Sequence, residues 1–129
     1  MSALSRRAIA CKYWRWMPGM KIRSIDKVCI LVSSEGEPIY RDGYGVLTSV
    51  PYAEPDLDDP ATLGCLMALV REAWKDEGIA AVIASYDYES GYQWRVIEGH
   101  HHGSKWQTMS QRPFPTEDEA LVAALEAAE

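Results

Sequence analysis

The chain has 129 residues, of which 47% are apolar, and 13 basic against 19 acidic side chains leave a net charge of −6. That length fits one domain burying about two-thirds of its unfolded surface, without room for two independent catalytic domains. Five Trp and seven Tyr exclude a disordered chain, and no apolar run approaches the roughly 18 residues a membrane span needs.

Residues 1–27 hold seven cations (Arg6, Arg7, Lys12, Arg15, Lys21, Arg23, Lys27) against one anion, Asp26, a net +6. The remainder holds six cations against eighteen anions, a net −12. The first segment shows no clean period and reads as a cationic, aromatic arm. In it Trp14 and Trp16 flank Arg15 before Pro18-Gly19 turns the chain. Such an arm can bind phosphate, dock on another protein or dock on the chain's own acidic body. The basic start Arg6-Arg7 is followed by an apolar stretch that ends at Lys12, too short for a secretory signal. The expected location is therefore the cytoplasm, in a bacterial host cell given the resemblance described below. Cys11, Cys29 and Cys65 are odd in number and widely spaced, which predicts reduced thiols rather than a disulfide framework.

Residues 28–129 read as a single α+β domain. Val28–Ser33 is a β-branched run, Ser34-Glu35-Gly36-Glu37 a turn and Pro38–Arg41 a return strand. Asp42-Gly43 is a second turn and Val46–Val50 a further strand, so 28–50 forms a hairpin region. Residues 51–59 carry Pro51, Pro55 and the acids Glu54, Asp56, Asp58 and Asp59, and read as an acidic loop.

Residues 60–128 predict the order α-β-β-β-α. Asp59 caps a helix over 60–77, with Pro60 at its first position and Gly78 as its stop. Leu63, Leu66, Met67, Val70 and Trp74 form its apolar stripe. Ile79–Tyr86, Tyr92–Glu98 and Lys105–Met109 follow as strands, and their short connections predict a three-stranded antiparallel meander. Thr116-Glu117-Asp118-Glu119 is a capping box that opens a last helix with Leu121, Val122 and Leu125 on its apolar face. The helices cover one face of the sheet or one face each.

No phosphate-binding loop, dinucleotide fingerprint, nucleophile elbow, zinc-protease helix or calcium loop is present. One constellation suits a metal: Glu98, His100 and His102 share a face if the second strand continues. Gly99 and Gly103 bracket those histidines and favour a solvated turn instead. The helix–three-strand–helix order is also that of double-stranded-RNA-binding domains, which grip phosphate with a basic second helix. The last helix here carries Glu117, Asp118, Glu119 and Glu126, so that function is rejected.

Three stretches resemble small proteins of tailed phages and prophages: Trp14–Met20, Pro55–Leu66 and Thr116–Ala124. Residues 60–128 are also similar to the phage α-β-α sandwich group. The resemblance implies a phage or bacterial origin and action inside the cell. It implies no activity and no catalytic residues.

The expectation is a non-catalytic accessory protein without a cofactor, binding a host or phage protein. One version is an inhibitor of a host nucleic-acid enzyme or defence system whose acidic surface imitates phosphate. The expected contact residues are Trp14, Arg15, Trp16, Glu54, Asp56, Asp58, Glu117 and Asp118. Nucleic-acid binding through Arg6, Arg7, Lys12 and Arg15 is the alternative, with the indoles stacking on bases. A small metalloenzyme at Glu98, His100 and His102 is the third reading.

Overall fold

The computed structural model describes residues 1–23, 31–50, 52–75 and 114–128, together with the backbone of 79–87 and 91–98. The element order is α1 (Ala3–Ala10), β1 (Leu31–Val32), β2 (Pro38–Arg41), β3 (Leu47–Ser49), α2 (Pro60–Ala73), β4 (Ile79–Asp87), β5 (Gly91–Glu98) and α3 (Glu117–Ala127). The class is α+β. The expected third meander strand, Lys105–Met109, lies outside the described residues, as do Val28, Cys29 and Ile30 of the first strand.

Residues 1–23 of the segment expected as an arm instead pack into the core. Ser2 caps α1 by accepting from the Ser5 N–H at 3.1 Å. Leu4, Ala8 and Cys11 then fall on one face, and Ala8 and Cys11 are buried. Gly19, at φ +96°, turns the chain so that Met20 and Ile22 enter the same core. Ile22 bridges Pro55, with Arg23 N–H donating to Glu54 O and Asp56 N–H to Lys21 O, each at 2.9 Å. The acidic loop 51–59 thereby becomes structural, since Ala53 and Leu57 are buried beneath its carboxylates.

β1, β2 and β3 form one antiparallel sheet in that order, and β4 pairs with β5 in a second. In the β1–β2 turn Gly36 takes φ +82°, while Ser33 Oγ accepts from the N–H groups of Glu35 and Glu37.

α2 begins as its cap predicts. Asp59 accepts from Thr62 N–H at 2.9 Å, and Pro60 stands at the first helical position. It ends at Ala73 rather than Gly78, because Lys75 enters the left-handed region at φ +52°. Leu66, Leu69 and Val70 are buried, with Leu63, Met67 and Trp74 packed partly against the same core. Leu69 belongs to the buried face although the predicted stripe omits it. In α3 the Thr116 hydroxyl accepts from Glu119 N–H, the predicted cap, and Leu121, Val122 and Leu125 are fully buried. α3 packs against α1, α2 and both strands of the β4–β5 hairpin. α2 therefore rests chiefly on α3, and α3 is the helix that meets the sheet.

Two tryptophans take opposite positions. Trp74 Nε1 donates to Ala124 O at 3.0 Å, satisfying one of the carbonyls left open at the end of α3. Trp14 Nε1 is buried with no partner among the described residues. Trp74→Phe is expected to cost about 1–3 kcal/mol, the range for a broken hydrogen bond plus lost ring area. Trp14→Phe removes an unsatisfied donor that itself costs about 1–3 kcal/mol, and is expected to change stability by less than about 1 kcal/mol. Urea midpoints of the two variants check the contrast.

Candidate functional site

The cations of the first segment meet acids of the chain's own body. Arg7 Nε and Nη2 fork onto both carboxylate oxygens of Glu126, joining α1 to α3. Arg15 pairs with Glu72 of α2 at 2.7 Å, and Arg23 with Asp58 at 2.9 Å and Asp56 at 3.7 Å. Lys21 Nζ lies 3.1 Å from Asp59, while its backbone N–H donates to Thr62 Oγ1 at 2.9 Å. Lys12 sits over the Tyr13 ring at 5.4 Å. Arg6 is exposed and has no ion pair among the described residues.

This pairing uses up much of both expected surfaces. Of the nucleic-acid candidates, Arg7 and Arg15 hold carboxylates. Trp14 and Trp16 pack edge to face at 5.5 Å and 82°, both partly buried against the core. Of the acidic candidates, Glu54 accepts from Ser2 N–H at 2.9 Å, and this hydrogen bond holds its carboxyl below the usual range. Asp56 and Asp58 are taken by Arg23. Glu117 and Asp118 stand half-buried in the first turn of α3, where negative charge favours the helix dipole. Glu98 ends β5, whereas His100 and His102 lie outside the described residues. Among the described residues no three His, Cys, Asp or Glu side chains cluster as a metal site would require, and no helix is long and apolar enough to cross a membrane.

What the structure does bring together is a groove of about 690 Å3, open to solvent, between α1 and the β1–β3 sheet. That size is within the roughly 300–1,000 Å3 of ligand pockets. Its apolar lining includes Ile9, Ala10, Trp16, Pro38, Val50 and Ala53. Arg6 of α1 and Glu35 and Glu37 of the β1–β2 turn line it as well. Tyr52 stands at the rim, 97% exposed, with φ at +56°. A tyrosine in the left-handed region costs on the order of 1 kcal/mol, and full exposure returns no packing for it.

Tyr44, Val46 and Leu47 are exposed on the second hairpin, outside the lining of the groove. Asp42 Oδ1 accepts there from the N–H groups of Tyr44 and Val46, at 2.8 and 2.9 Å, and so fixes the tip. The contact residues expected from sequence include none of these except Trp16 and, for the nucleic-acid alternative, Arg6. One signal was legible: Gly43-Tyr44-Gly45 puts an aromatic ring between glycines at a turn.

In comparisons with known protein families, curated proteins and solved structures, nothing matches this chain.

Asp59 joins the first segment to α2, because it caps the helix and holds Lys21. Partial burial opposes its ionisation, but hydrogen bonds from Thr62 and Lys21 overcome this and lower its pKa. A lowered carboxylate pKa stabilises the fold above the unfolded value, and that contribution is lost as pH falls through the folded value. Asp59→Ala is expected to cost about 1 kcal/mol at neutral pH, as helix caps do. The gap from the native chain should narrow below about pH 4, the unfolded carboxylate range. Thermal unfolding of both chains between neutral and acid pH reads this directly.

Proposed function

We propose that the protein is a non-catalytic accessory protein of phage origin that binds a host or phage protein through the groove between α1 and the β1–β3 sheet. The observation behind this reading is the strained, almost fully exposed Tyr52 lining an apolar groove that also holds Arg6, Glu35 and Glu37. Exposed apolar surface gathered in one place marks interaction sites more often than scattered single residues do. Large aromatic anchors commonly supply the energy of such contacts. An apolar body seats in the groove, with an anionic group near Arg6 and a basic group near Glu35 and Glu37.

Phosphate imitation by residues 54–59 receives less support, because Arg23 and Lys21 offset two of the three charges of Asp56, Asp58 and Asp59. The phage resemblance motivates the choice of bacterial lysate as the source of partner.

The test is affinity capture from bacterial lysate, with and without nuclease, using the native chain, Ile9→Lys and Tyr52→Gly. A protein retained after nuclease by the native chain and lost with Ile9→Lys is the expected outcome. Tyr52→Gly should weaken capture while raising stability by about 1 kcal/mol, since glycine accepts the left-handed backbone without strain. Capture abolished by nuclease would move the function to nucleic acid, and capture unaffected by either variant would remove the groove from the reading.

A further inference from the structure

Glu35 and Glu37 break the charge pattern of the molecule. Among the described residues, the carboxylates of Glu54, Asp56, Asp58, Asp59, Glu72 and Glu126 each meet a cation or a backbone donor. Asp42 accepts from two N–H groups of its own turn, and Glu117, Asp118 and Glu119 stand in the first turn of α3. Glu35 and Glu37 have neither kind of support. Both are exposed, and no described residue forms an ion pair or a hydrogen bond with either carboxylate.

The turn that carries them is fixed. Ser33 N–H donates to Glu37 O and Gly36 N–H to Ser33 O, each at 2.9 Å, and Ser33 Oγ accepts from the N–H groups of both glutamates. Two like charges are thus held two residues apart, and their fields add. Both line the groove between α1 and the β1–β3 sheet, whose described lining has Arg6 as its one charged side chain of opposite sign. Ile9, Trp16 and Val50 give the same groove its apolar character.

We propose that the groove takes a basic segment of a partner protein, in which an arginine or lysine stands beside aliphatic side chains. The aliphatic groups seat against Ile9, Trp16 and Val50, and the cation meets Glu35 and Glu37. This rests on the groove reading above and narrows its occupant by charge. The chain matches its other carboxylates internally and leaves this pair to be matched from outside. Arginine suits the pair better than lysine, because its planar fork carries five donors that two carboxylates can share. The attraction strengthens as the apolar contact closes, since excluding water lowers the local dielectric. Nucleic acid is the occupant this surface opposes: its phosphates would meet two unmatched carboxylates on a chain of net charge −6.

Panning a random peptide library against the full chain tests the proposal, with the selected peptides then titrated by fluorescence anisotropy. The native chain should enrich Arg or Lys next to Leu, Ile or Val. Glu35→Gln combined with Glu37→Gln should weaken those peptides about ten-fold, and added salt should weaken their binding to the native chain. Glu35→Lys combined with Glu37→Lys, panned in its own right, should enrich Asp or Glu instead. Neither native carboxylate has a partner among the described residues, so both variants should keep the native thermal midpoint. Peptides that show no basic preference yet are lost with Ile9→Lys overturn this proposal and leave the groove reading standing. Basic peptides indifferent to the Gln variant also overturn it, and peptides indifferent to Ile9→Lys overturn both readings. A library that yields no binder overturns the basic segment, and lysate capture then judges the groove by itself.

Discussion

Leu121, Val122 and Leu125 lose all contact with water, and they lose it on three sides at once, because α3 meets α1, α2 and the β4–β5 hairpin. Each such side chain contributes about 1.5–3 kcal/mol on burial, and Ala120 and Ala124 let the neighbouring helices approach between them. The other elements are placed by this helix. Arg7 of α1 reaches its Glu126, and Trp74 at the end of α2 closes its Ala124 carbonyl. The acids Glu117, Asp118 and Glu119 stand at the end where the helix dipole favours them. An apparent acidic binding surface is thereby explained by the helix's own electrostatics.

The division of charge between a +6 start and a −12 remainder finds its use inside the molecule. Four cations of the first segment are matched to carboxylates of 56–59, α2 and α3. Magnitudes decide what these pairs do. Exposed pairs such as Arg15–Glu72 contribute about 0–1 kcal/mol each, whereas burying Met20 and Ile22 contributes more per residue. Apolar burial holds the segment down, and the charges select where along the body it settles. Lys21 is the instructive case. Its ammonium and the N–H and hydroxyl of Thr62 converge on the Asp59 carboxylate, and its backbone N–H donates to that same hydroxyl, so a single aspartate fixes both the helix start and the incoming chain.

Elements announced by local chemistry were legible from sequence: Asp59-Pro60 and Thr116 as helix starts, the turn at 34–37, and the apolar face of α3. α1 was not, because its buried face consists of Leu4, Ala8 and Cys11 with the polar Ser5 among them, too small and too mixed to stand out beside Arg6 and Arg7. The loop 51–59 hid Ala53 and Leu57 behind four acids and two prolines. The early end of α2 has no sequence mark at all, since lysine carries no preference for φ +52°. The groove was beyond reach for a different reason. Its lining comes from α1, Trp16, residues 35–38 and Val50, Tyr52 and Ala53, and only tertiary packing brings them together.

The sheet β1–β3 stands apart in what its side chains contribute. Val50 packs against the core, while Tyr44 and Tyr52 are almost wholly exposed and Val46 and Leu47 about half exposed. Tyr52 further carries backbone strain. Folding alone would favour glycine or asparagine at that backbone position and polar groups on that strand. Exposed apolar area is a loss that a covering surface recovers, whereas the backbone strain of Tyr52 stays with its conformation. Stability thus comes chiefly from the packing of α1, α2, α3 and the β4–β5 hairpin, while the β2–β3 hairpin leaves Tyr44, Val46 and Leu47 exposed.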